Sequence, residues 1–379
     1  MSIDYQSLAV KGVQALSPYQ PGKPIDELAR ELGLNPDSII KLASNENPLG
    51  PSSKALSAVR DALDELCRYP DGNGYTLKQA LSSRFNVKPA QITLGNGSND
   101  VLEVITRCFA DPASEVVFSQ YAFAVYPLVT QAIGATGVSV PARDYGHDLN
   151  AMAEAVTDRA RLVFVANPNN PTGTVHGAEA IEAFLARIPE RVIVVLDEAY
   201  CEYLQGEGYA DGLSLLERYP NLIVTRTFSK AWGLASLRVG YSISSPEIAN
   251  VLNRVRQPFN VDTLALAAAT AVLDDEDYLQ RSRDVNAEGM KQLETAFDEM
   301  GLDYIPSAGN FIAVDVGEKA HDINQSLLEQ GVIVRPIAGY GMPRHLRVSI
   351  GLPGENDRFI ESLSRALDSL SLAESGRGA

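Results

Sequence analysis

Cysteine is scarce in this sequence, and the positions of the few cysteines exclude a disulfide framework. Cys67, Cys108 and Cys201 lie far apart and have no zinc-ligand spacing. Free, scattered cysteines are typical of proteins in a reducing compartment. We therefore expect a protein without structural disulfides.

Long apolar runs are also missing. No stretch approaches the roughly 20 apolar residues of a membrane span, and the longest run, Leu264–Leu273, is Ala-rich and predicts a buried helix. The first twenty residues lack the basic start and apolar block of a signal peptide. We predict a cytoplasmic protein with no membrane partner.

Basic residues are outnumbered by acidic ones. The chain has 32 Lys and Arg against 48 Asp and Glu, a formal net charge of −16. Nucleic acids and anionic membranes require a basic surface, so neither is expected as a partner. The acids are dispersed, which is typical of a solvated acidic surface. A salt-tolerant host is the alternative interpretation.

Histidine is too sparse and too scattered to suggest a metal centre. The sequence also has no Gly-x-Ser-x-Gly elbow and no Cys/His catalytic pair. We therefore predict no metal site and disfavour hydrolases and metalloenzymes. The four histidines are His147, His176, His321 and His345.

The order of the predicted elements indicates the fold class. A length of 379 residues suggests two domains, or a large domain with a smaller one attached. From Ile92 to about residue 245, buried-strand runs alternate with helical patterns, which predicts an α/β domain with a mainly parallel sheet covered by helices. Beyond Pro258, long helices precede short strands and predict a smaller α+β domain. The predicted division is an N-terminal arm contributing to the small domain (1–45), a large domain (46–258) and a small domain (259–379).

Residues capable of chemistry follow two neighbouring strand runs, Val192–Leu196 and Leu222–Thr225. The first run leads into Asp197, and the second leads towards Lys230 and then Arg238. Ligands of open α/β sheets bind outside the carboxyl ends of the strands. We therefore predict that these three side chains converge at one edge of the sheet.

The three side chains suit pyridoxal 5′-phosphate (PLP). A lysine amine can form a Schiff base with an aldehyde, an aspartate suits a protonated ring nitrogen, and an arginine fork suits a phosphate dianion. Ser229 and the Gly95–Asn99 loop, which precedes a helical pattern, can add phosphate donors. The loop is neither a dinucleotide fingerprint, because Asp100 occupies the third glycine position, nor a Walker motif. Taken alone, it fits a plain strand-to-helix turn equally well.

Four motifs resemble those of the fold-type I PLP-dependent aminotransferases. They are NPNNPTG (167–173), DEAY (197–200), SKAWGLASLRVG (229–240) and HLRVSIG (345–351). Within that family, LSPYQPGKP, KLASNENPLGP and RYPDGNGY are most similar to the histidinol-phosphate aminotransferases. The resemblance covers almost the whole chain. It implies the type I fold and amino transfer between L-histidinol phosphate and 2-oxoglutarate in histidine biosynthesis.

The resemblance also implies roles for the cofactor-binding residues. Lys230 is expected to hold the cofactor as a Schiff base and then to transfer a proton, and Asp197 to pair with the ring nitrogen. The other implied contacts are Asn170 and Tyr200 at the phenolic oxygen, Phe123 stacked on the ring, and Ser98, Asn99, Thr227, Ser229 and Arg238 at the phosphate. Asn99-Asp100 departs from the Asp-Glu that is common at this loop.

Three more residues enter through the resemblance, and Arg335 is added because it lies close to one of them, Arg347, in the sequence. Tyr69 is expected to reach the cofactor phosphate of a neighbouring subunit, which implies a homodimer with shared sites. Arg347 is expected to hold the anionic end of the substrate, with Arg335 as a weaker second contact, and Tyr19 to close over the substrate. Without the resemblance, Arg347 would also fit the surface of a half-exposed strand.

Two other functions fit the same cofactor residues. An aromatic or broad-specificity aminotransferase would differ only in its substrate pocket, and a PLP-dependent lyase, such as a phospho-amino-acid decarboxylase, would break a different bond at Cα. A PLP-sensing regulator would need a DNA-binding domain. Residues 1–40 are too short and too acidic to supply one.

Overall fold

The structure is a computed structural model that describes residues 3–18, 22–206, 208–209 and 211–375, with side chains as far as residue 370. The strands are β1 Ile40–Lys41, β2 Ile92–Gly95, β3 Glu115–Ser119, β4 Thr136–Val140, β5 Ala160–Ala166, β6 Ile193–Asp197, β7 Leu222–Thr227, β8 Gly240–Ile243, β9 Tyr304–Ile305, β10 Phe311–Asp315, β11 Val332–Ile333, β12 Arg335–Pro336 and β13 His345–Ser349. The helices are α1 Tyr5–Leu8, α2 Lys11–Gln14, α3 Ile25–Leu32, α4 Ser53–Ala62, α5 Tyr75–Phe85, α6 Ser98–Phe109, α7 Val125–Ala132, α8 Leu149–Glu154, α9 Ala178–Leu185, α10 Pro246–Val255, α11 Thr263–Val272, α12 Glu276–Met300, α13 Ala320–Glu329 and α14 Pro353–Ser375.

A seven-stranded sheet forms the centre of the molecule, in the order β2-β8-β7-β6-β5-β3-β4. The neighbouring strands from β7 to β4 pair in parallel, whereas β8 runs antiparallel to both β7 and β2. Strands β5, β6 and β7 lie side by side and therefore end at the same edge of the sheet. The predicted α/β class with a mainly parallel, helix-covered sheet is confirmed.

Both faces of the large sheet are buried, which explains the continuous apolar runs of its strands. Along β5, Val163 and Val165 pack into the core on one face, while Leu162 and Phe164 pack into the core on the other. Helices must therefore cover both faces of the sheet.

The C-terminal part of the chain contains a second, antiparallel sheet in the order β12-β13-β10-β9. Leu346 and Val348 of β13 share an apolar core with Phe297 of α12 and Phe359 of α14. Strand β1 pairs in parallel with β11, so that the segment after α3 joins this part of the molecule. The division at residues 45 and 258 stays a prediction.

Short polar side chains begin several of the helices. Asp262 accepts a hydrogen bond from the Ala265 amide at the start of α11, over 2.8 Å, and Ser245 caps α10 in front of a proline at the first helical position. Such caps satisfy amides that have no partner within the helix. No helix in the described ranges is long and apolar enough to cross a membrane.

Two strands of the large sheet were not predicted. Strand β4 lies at the edge of the sheet and is largely exposed, so its sequence, TGVSV, has no continuous apolar run. Strand β8 is buried, but its sequence, GYSI, is short and mixed. Edge strands and short strands carry little hydrophobic pattern, because tertiary pairing decides their conformation.

A buried ion pair links β7 to the segment that follows β6. The Arg226 guanidinium donates to Glu198 Oε2 through Nε (2.9 Å) and Nη2 (2.6 Å), and both side chains are buried. Glu198 Oε1 accepts from the Gly212 amide at 2.7 Å. The second acid bound by Arg226, Asp211, is exposed. The pair therefore fixes the spacing of two strand ends.

We predict that Arg226→Met destabilises the protein by about 3–5 kcal/mol, because it leaves the Glu198 carboxylate buried without a counter-ion. The double variant Arg226→Met/Glu198→Gln should recover part of this loss. Urea unfolding of the purified variants measures the difference.

The control is Arg218→Met, which breaks the exposed ion pair of Arg218 with Glu182 and should cost less than about 1 kcal/mol. Equal losses for Arg218→Met and Arg226→Met would contradict a structural role for the buried pair.

Candidate active site

A cavity opens at the carboxyl ends of β5, β6 and β7, and most of the predicted site residues line it. These residues are Ser98, Asn99, Phe123, Asn170, Asp197, Tyr200, Thr227, Ser229, Lys230, Arg238, Arg335 and Arg347. Tyr69 does not line the cavity of its own chain; its side chain is 82% exposed and stacks on Phe259. Tyr19 lies outside the described residues.

Asp197 ends β6 at the base of the cavity and is buried. Its Oδ2 accepts from the Tyr126 hydroxyl at 2.7 Å and its Oδ1 from the Thr225 hydroxyl at 3.0 Å. Burial raises the pKa of Asp197, and the hydroxyl donors oppose this effect. The carboxyl group is therefore held rigidly in a position where a cationic partner would stabilise its charge.

Lys230 follows β7 and directs its amine into the same cavity. Nζ donates to the carbonyl oxygen of Ser44 at 3.0 Å. Desolvation, followed by the positive charge of Arg347, lowers the pKa of Lys230 to about 7. The amine is consequently half neutral near neutral pH, as a nucleophile or a proton acceptor requires.

The loop between β2 and α6 lies against Arg238. Gly97 has φ 82°, and a Cβ atom at this position would lie 2.2 Å from Nη2 of Arg238, so only glycine permits this approach. Nη1 of Arg238 donates to Ser229 Oγ at 3.1 Å. The first turn of α6, at Ser98 and Asn99, completes a set of donors suited to a phosphate group.

Two arginines lie side by side on the small sheet. Arg347 of β13 is opposite Arg335 of β12 in the register of the two strands. Arg347 is only 6% exposed, so the alternative of a surface arginine is wrong. Its Nη1 donates to Asn170 Oδ1 at 2.6 Å and its Nη2 to the Ala43 carbonyl at 2.7 Å. The pair provides positive charge opposite the strand ends of the large sheet.

Tyr200 and Phe123 supply the aromatic part of the lining. Tyr200 is buried, and its hydroxyl oxygen accepts from Asn45 Nδ2 at 3.0 Å. Burial raises the pKa of Tyr200 to about 12, so its hydroxyl stays protonated at neutral pH. The Phe123 ring meets the Tyr126 ring edge-on at 5.8 Å. The lining thus combines a hydroxyl donor with an apolar ring.

Sequence reasoning missed several residues that hold these side chains. Thr225 is opposite Asp197 in the register of β6 and β7, so the strand pairing could have indicated it. Tyr126, three residues after Phe123, occurs in the same aromatic segment. Asn45 and the carbonyl groups of residues 43 and 44 gave no separate signal, because their segment reads as a polar turn.

Within the described residues, no group of three or more His, Cys, Asp or Glu side chains could hold a metal ion. The cavity instead brings together a lysine of lowered pKa, a buried carboxyl group, a phosphate-type donor set and a pair of arginines. This set can bind a dianion at one end of the cavity and a second anion at the other. The Lys230 amine can accept or donate a proton at the position between these two ends.

Comparison with protein families gives a match over most of the chain. The model for aminotransferase class I and II matches residues 37–363. A protein from Pseudomonas fluorescens (strain Pf0-1) named histidinol-phosphate aminotransferase 2 is 62% identical over 367 residues, covering 97% of this chain and 99% of that protein. A protein of the same name from Pseudomonas aeruginosa is 63% identical over 364 residues, covering 96% of this chain and 99% of that protein.

A solved structure is similar over nearly the same length. The crystal structure of histidinol-phosphate aminotransferase from Sinorhizobium meliloti, in complex with pyridoxal 5′-phosphate, has a TM-score of 0.88 and 33% sequence identity to this chain. The match covers 95% of this chain and 98% of that one.

We predict that the Lys230 amine of the cofactor-free protein titrates near pH 7, well below the usual value of 10.5. Acylation with acetic anhydride at a series of pH values, followed by peptide mass spectrometry, measures the midpoint. Because Arg347 contributes to the lowered pKa, Arg347→Met should raise the midpoint. A titration midpoint near pH 10 in the wild-type protein would contradict a desolvated environment of Lys230.

Proposed function

The chain belongs to the family of class I and II aminotransferases, and from this premise we propose that it is a PLP-dependent histidinol-phosphate aminotransferase. It transfers an amino group between L-histidinol phosphate and 2-oxoglutarate in histidine biosynthesis. The observation that carries the substrate assignment is the identity of more than 60%, over nearly the full length, to proteins with this name.

Each polar group of PLP has suitable residues in the cavity. The hydroxyl groups of Thr227 and Ser229, the first turn of α6 and the Arg238 guanidinium suit the phosphate. The buried Asp197 carboxyl group suits the ring nitrogen, because an adjacent cation offsets the cost of keeping a buried carboxylate charged. Phe123 provides an apolar face for the ring, and Tyr200 and Asn170 provide polar groups for the phenolic oxygen.

PLP, when bound, supplies an electron sink that stabilises negative charge at the substrate's Cα. Lys230 Nζ holds the aldehyde end of the cofactor and then accepts and returns the Cα proton. A pKa of about 7 suits this task, since a general base works best when its pKa lies near the working pH. Asp197, fixed by two hydroxyl donors, keeps the ring nitrogen protonated.

The paired arginines suit a substrate with a phosphate group. A monoester dianion carries more charge than a carboxylate, and two neighbouring guanidinium groups can share its oxygens. Arg335 and Arg347 are cross-strand neighbours at the mouth of the cavity. Tyr19, from the segment before α3, is the proposed cover over the bound substrate.

We predict that L-histidinol phosphate rapidly changes the visible absorption of the PLP-loaded protein in a half-reaction. Phenylalanine and aspartate should act slowly under the same conditions, because neither carries a phosphate group. Stopped-flow absorption with single amino compounds measures the three rates. The Lys230→Ala variant, which lacks the proton carrier, is the negative control and should show no turnover.

A faster response to aromatic amino acids would move the function to an aromatic or broad-specificity aminotransferase. Release of carbon dioxide would identify a decarboxylase. If added PLP gave no absorption band of a Schiff base with the protein, the assignment of Lys230 would be refuted.

A homodimer is part of the proposal, because Tyr69 and several apolar residues close to it in the sequence have exposed side chains. These residues are Leu56, Leu63 and Leu66, and Phe259, whose ring stacks on Tyr69, is exposed as well. Exposed apolar side chains are typical of interfaces between proteins when they form a patch. In the proposed dimer, Tyr69 reaches the phosphate group in the partner's cavity. The free thiols of the three cysteines agree with the proposed cytoplasmic location.

We predict that two inactive variants, Lys230→Ala and Tyr69→Ala, restore activity when their subunits are exchanged. One cavity of each hybrid dimer then has its own Lys230 and the partner subunit's Tyr69. Random exchange at equal amounts should give about a quarter of wild-type activity, since half of the dimers are hybrids with one intact site each. Activity is measured after mixing under conditions that dissociate the dimer reversibly.

Mixing Lys230→Ala with Arg238→Ala is the control. Both residues line the same cavity of one chain, so neither site of that hybrid is intact and no activity should return. Failure of the first mixture, with subunit exchange demonstrated, would place Tyr69 outside the partner's site.

A further inference from the structure

Asn45 is buried at the junction of the two sheets and has four hydrogen bonds. Its backbone amide donates to Ser349 Oγ at 2.8 Å, and its carbonyl oxygen accepts from Asn310 Nδ2 at 3.0 Å. Its side chain binds Ser349 on one side and Tyr200 on the other, each at 3.0 Å. The residue therefore connects the strand that carries Arg347 to the tyrosine of the candidate site.

The Asn45 amide has the orientation that gives the Ser349 hydroxyl hydrogen an acceptor. Ser349 Oγ already accepts the Asn45 backbone N–H, so its own hydrogen is available to donate, and it donates to Asn45 Oδ1. The amide nitrogen, Nδ2, then faces the Tyr200 hydroxyl. A primary amide nitrogen is only a donor, so Tyr200 can only accept from it.

The Tyr200 hydroxyl must consequently donate its hydrogen elsewhere. Among the described residues, the structure shows no acceptor for that hydrogen, and the cavity lies next to the hydroxyl. We propose that Asn45 is a positioning residue, which directs the Tyr200 hydrogen into the cavity, at the phenolic oxygen of PLP. This inference rests on the proposed function, because it requires the cofactor in that cavity.

The backbone supports the specific choice of asparagine at position 45. The residue has φ 54°, in the left-handed region that asparagine tolerates better than most residues. Aspartate would tolerate the same backbone, but it has no N–H to donate. The hydrogen bond to Tyr200 therefore requires asparagine rather than aspartate at this position.

Other charged and titratable groups also face Tyr200. They are Asp197 on the preceding strand, Lys230 after β7, Arg347 on β13, Tyr340 after β12, Tyr126 of α7 and Tyr203, three residues after Tyr200. The Asn45 amide acts in the same direction as Arg347, since both favour the ionised form of Tyr200. Asn45 thus makes Tyr200 a stronger hydrogen-bond donor towards the cavity.

The test is the pH midpoint of the visible absorption of bound PLP, read without any amino substrate. A donor at the phenolic oxygen stabilises its negative charge and lowers the midpoint. In Asn45→Asp, the carboxylate attracts the Tyr200 hydrogen away from the cofactor. We expect the midpoint to rise by about one pH unit or more.

A double-variant cycle separates this effect from the new negative charge. Tyr200→Phe alone should raise the midpoint, and Asn45→Asp should then add little to it, because the hydroxyl through which Asn45 acts is gone. An equal shift with and without the hydroxyl would mean that the charge alone acts, and would overturn the proposal. An unchanged midpoint in Asn45→Asp would overturn it as well.

Two further variants support the interpretation. Asn324→Asp makes the same substitution at a buried asparagine of α13 that does not line the cavity, and its midpoint should equal that of wild type. If Asn45→Asp fails to fold, Asn45→Ala enters the same cycle. It should raise the midpoint by less, and only while Tyr200 is present.

The result is independent of the proposed substrate. A shifted midpoint in a protein that does not react with histidinol phosphate supports the role of Asn45 and refutes the substrate assignment. An unchanged midpoint in a protein that reacts rapidly refutes the role of Asn45 and leaves the proposed function intact.

Discussion

One short segment, Ala43–Asn45, holds the polar side chains of the site in their positions. The Ala43 carbonyl accepts from Arg347, the Ser44 carbonyl accepts from Lys230, and the Asn45 amide donates to Tyr200. These three side chains come from different parts of the chain. Tyr200 and Arg347 are buried, so the loss of such a partner would cost about 1–3 kcal/mol for each. The segment is itself fixed at Leu42, which donates to the Ile333 carbonyl of β11 at 2.7 Å and accepts from the Ser349 amide of β13 at 2.8 Å. The site therefore depends on the pairing of β1 with β11.

The parallel sheet supplies the other half of the site. Asp197 and Thr227 end neighbouring strands, and Ala166 ends the next strand along the sheet. Strands that run in the same direction place their last residues at one edge of the sheet. The reactive side chains that follow these strands are therefore brought together by the sheet topology alone. Strand β8 runs the other way and begins at this edge, which brings Arg238, two residues before it, to the same place. One reversed strand thus completes the phosphate donors.

The motif-bearing parts of the fold and of the site were predictable from the sequence. Continuous apolar runs identified β5, β6 and β7, and the polar residues that follow them were recognisable as chemistry-bearing. Residues acting through backbone carbonyl groups, as at Ser44, were not predictable, because any residue type provides a carbonyl. Asn45 has a chemical role, but its partners, Tyr200 and Ser349, are 155 and 304 residues away. Such contacts exist only once the two sheets are assembled.

The charge of the cavity is opposite in sign to that of the whole chain. The chain has a net charge of −16, whereas Lys230, Arg238, Arg335 and Arg347 all line the cavity and Asp197 is its buried acid. Burial lowers the pKa of Lys230 first of all, and the positive charge of Arg347, followed by that of Arg238, lowers it further. The same arrangement favours anions, because a bound phosphate group offsets the repulsion. The repulsion between these cations therefore contributes both to the lowered pKa of Lys230 and to the preference of the cavity for anions.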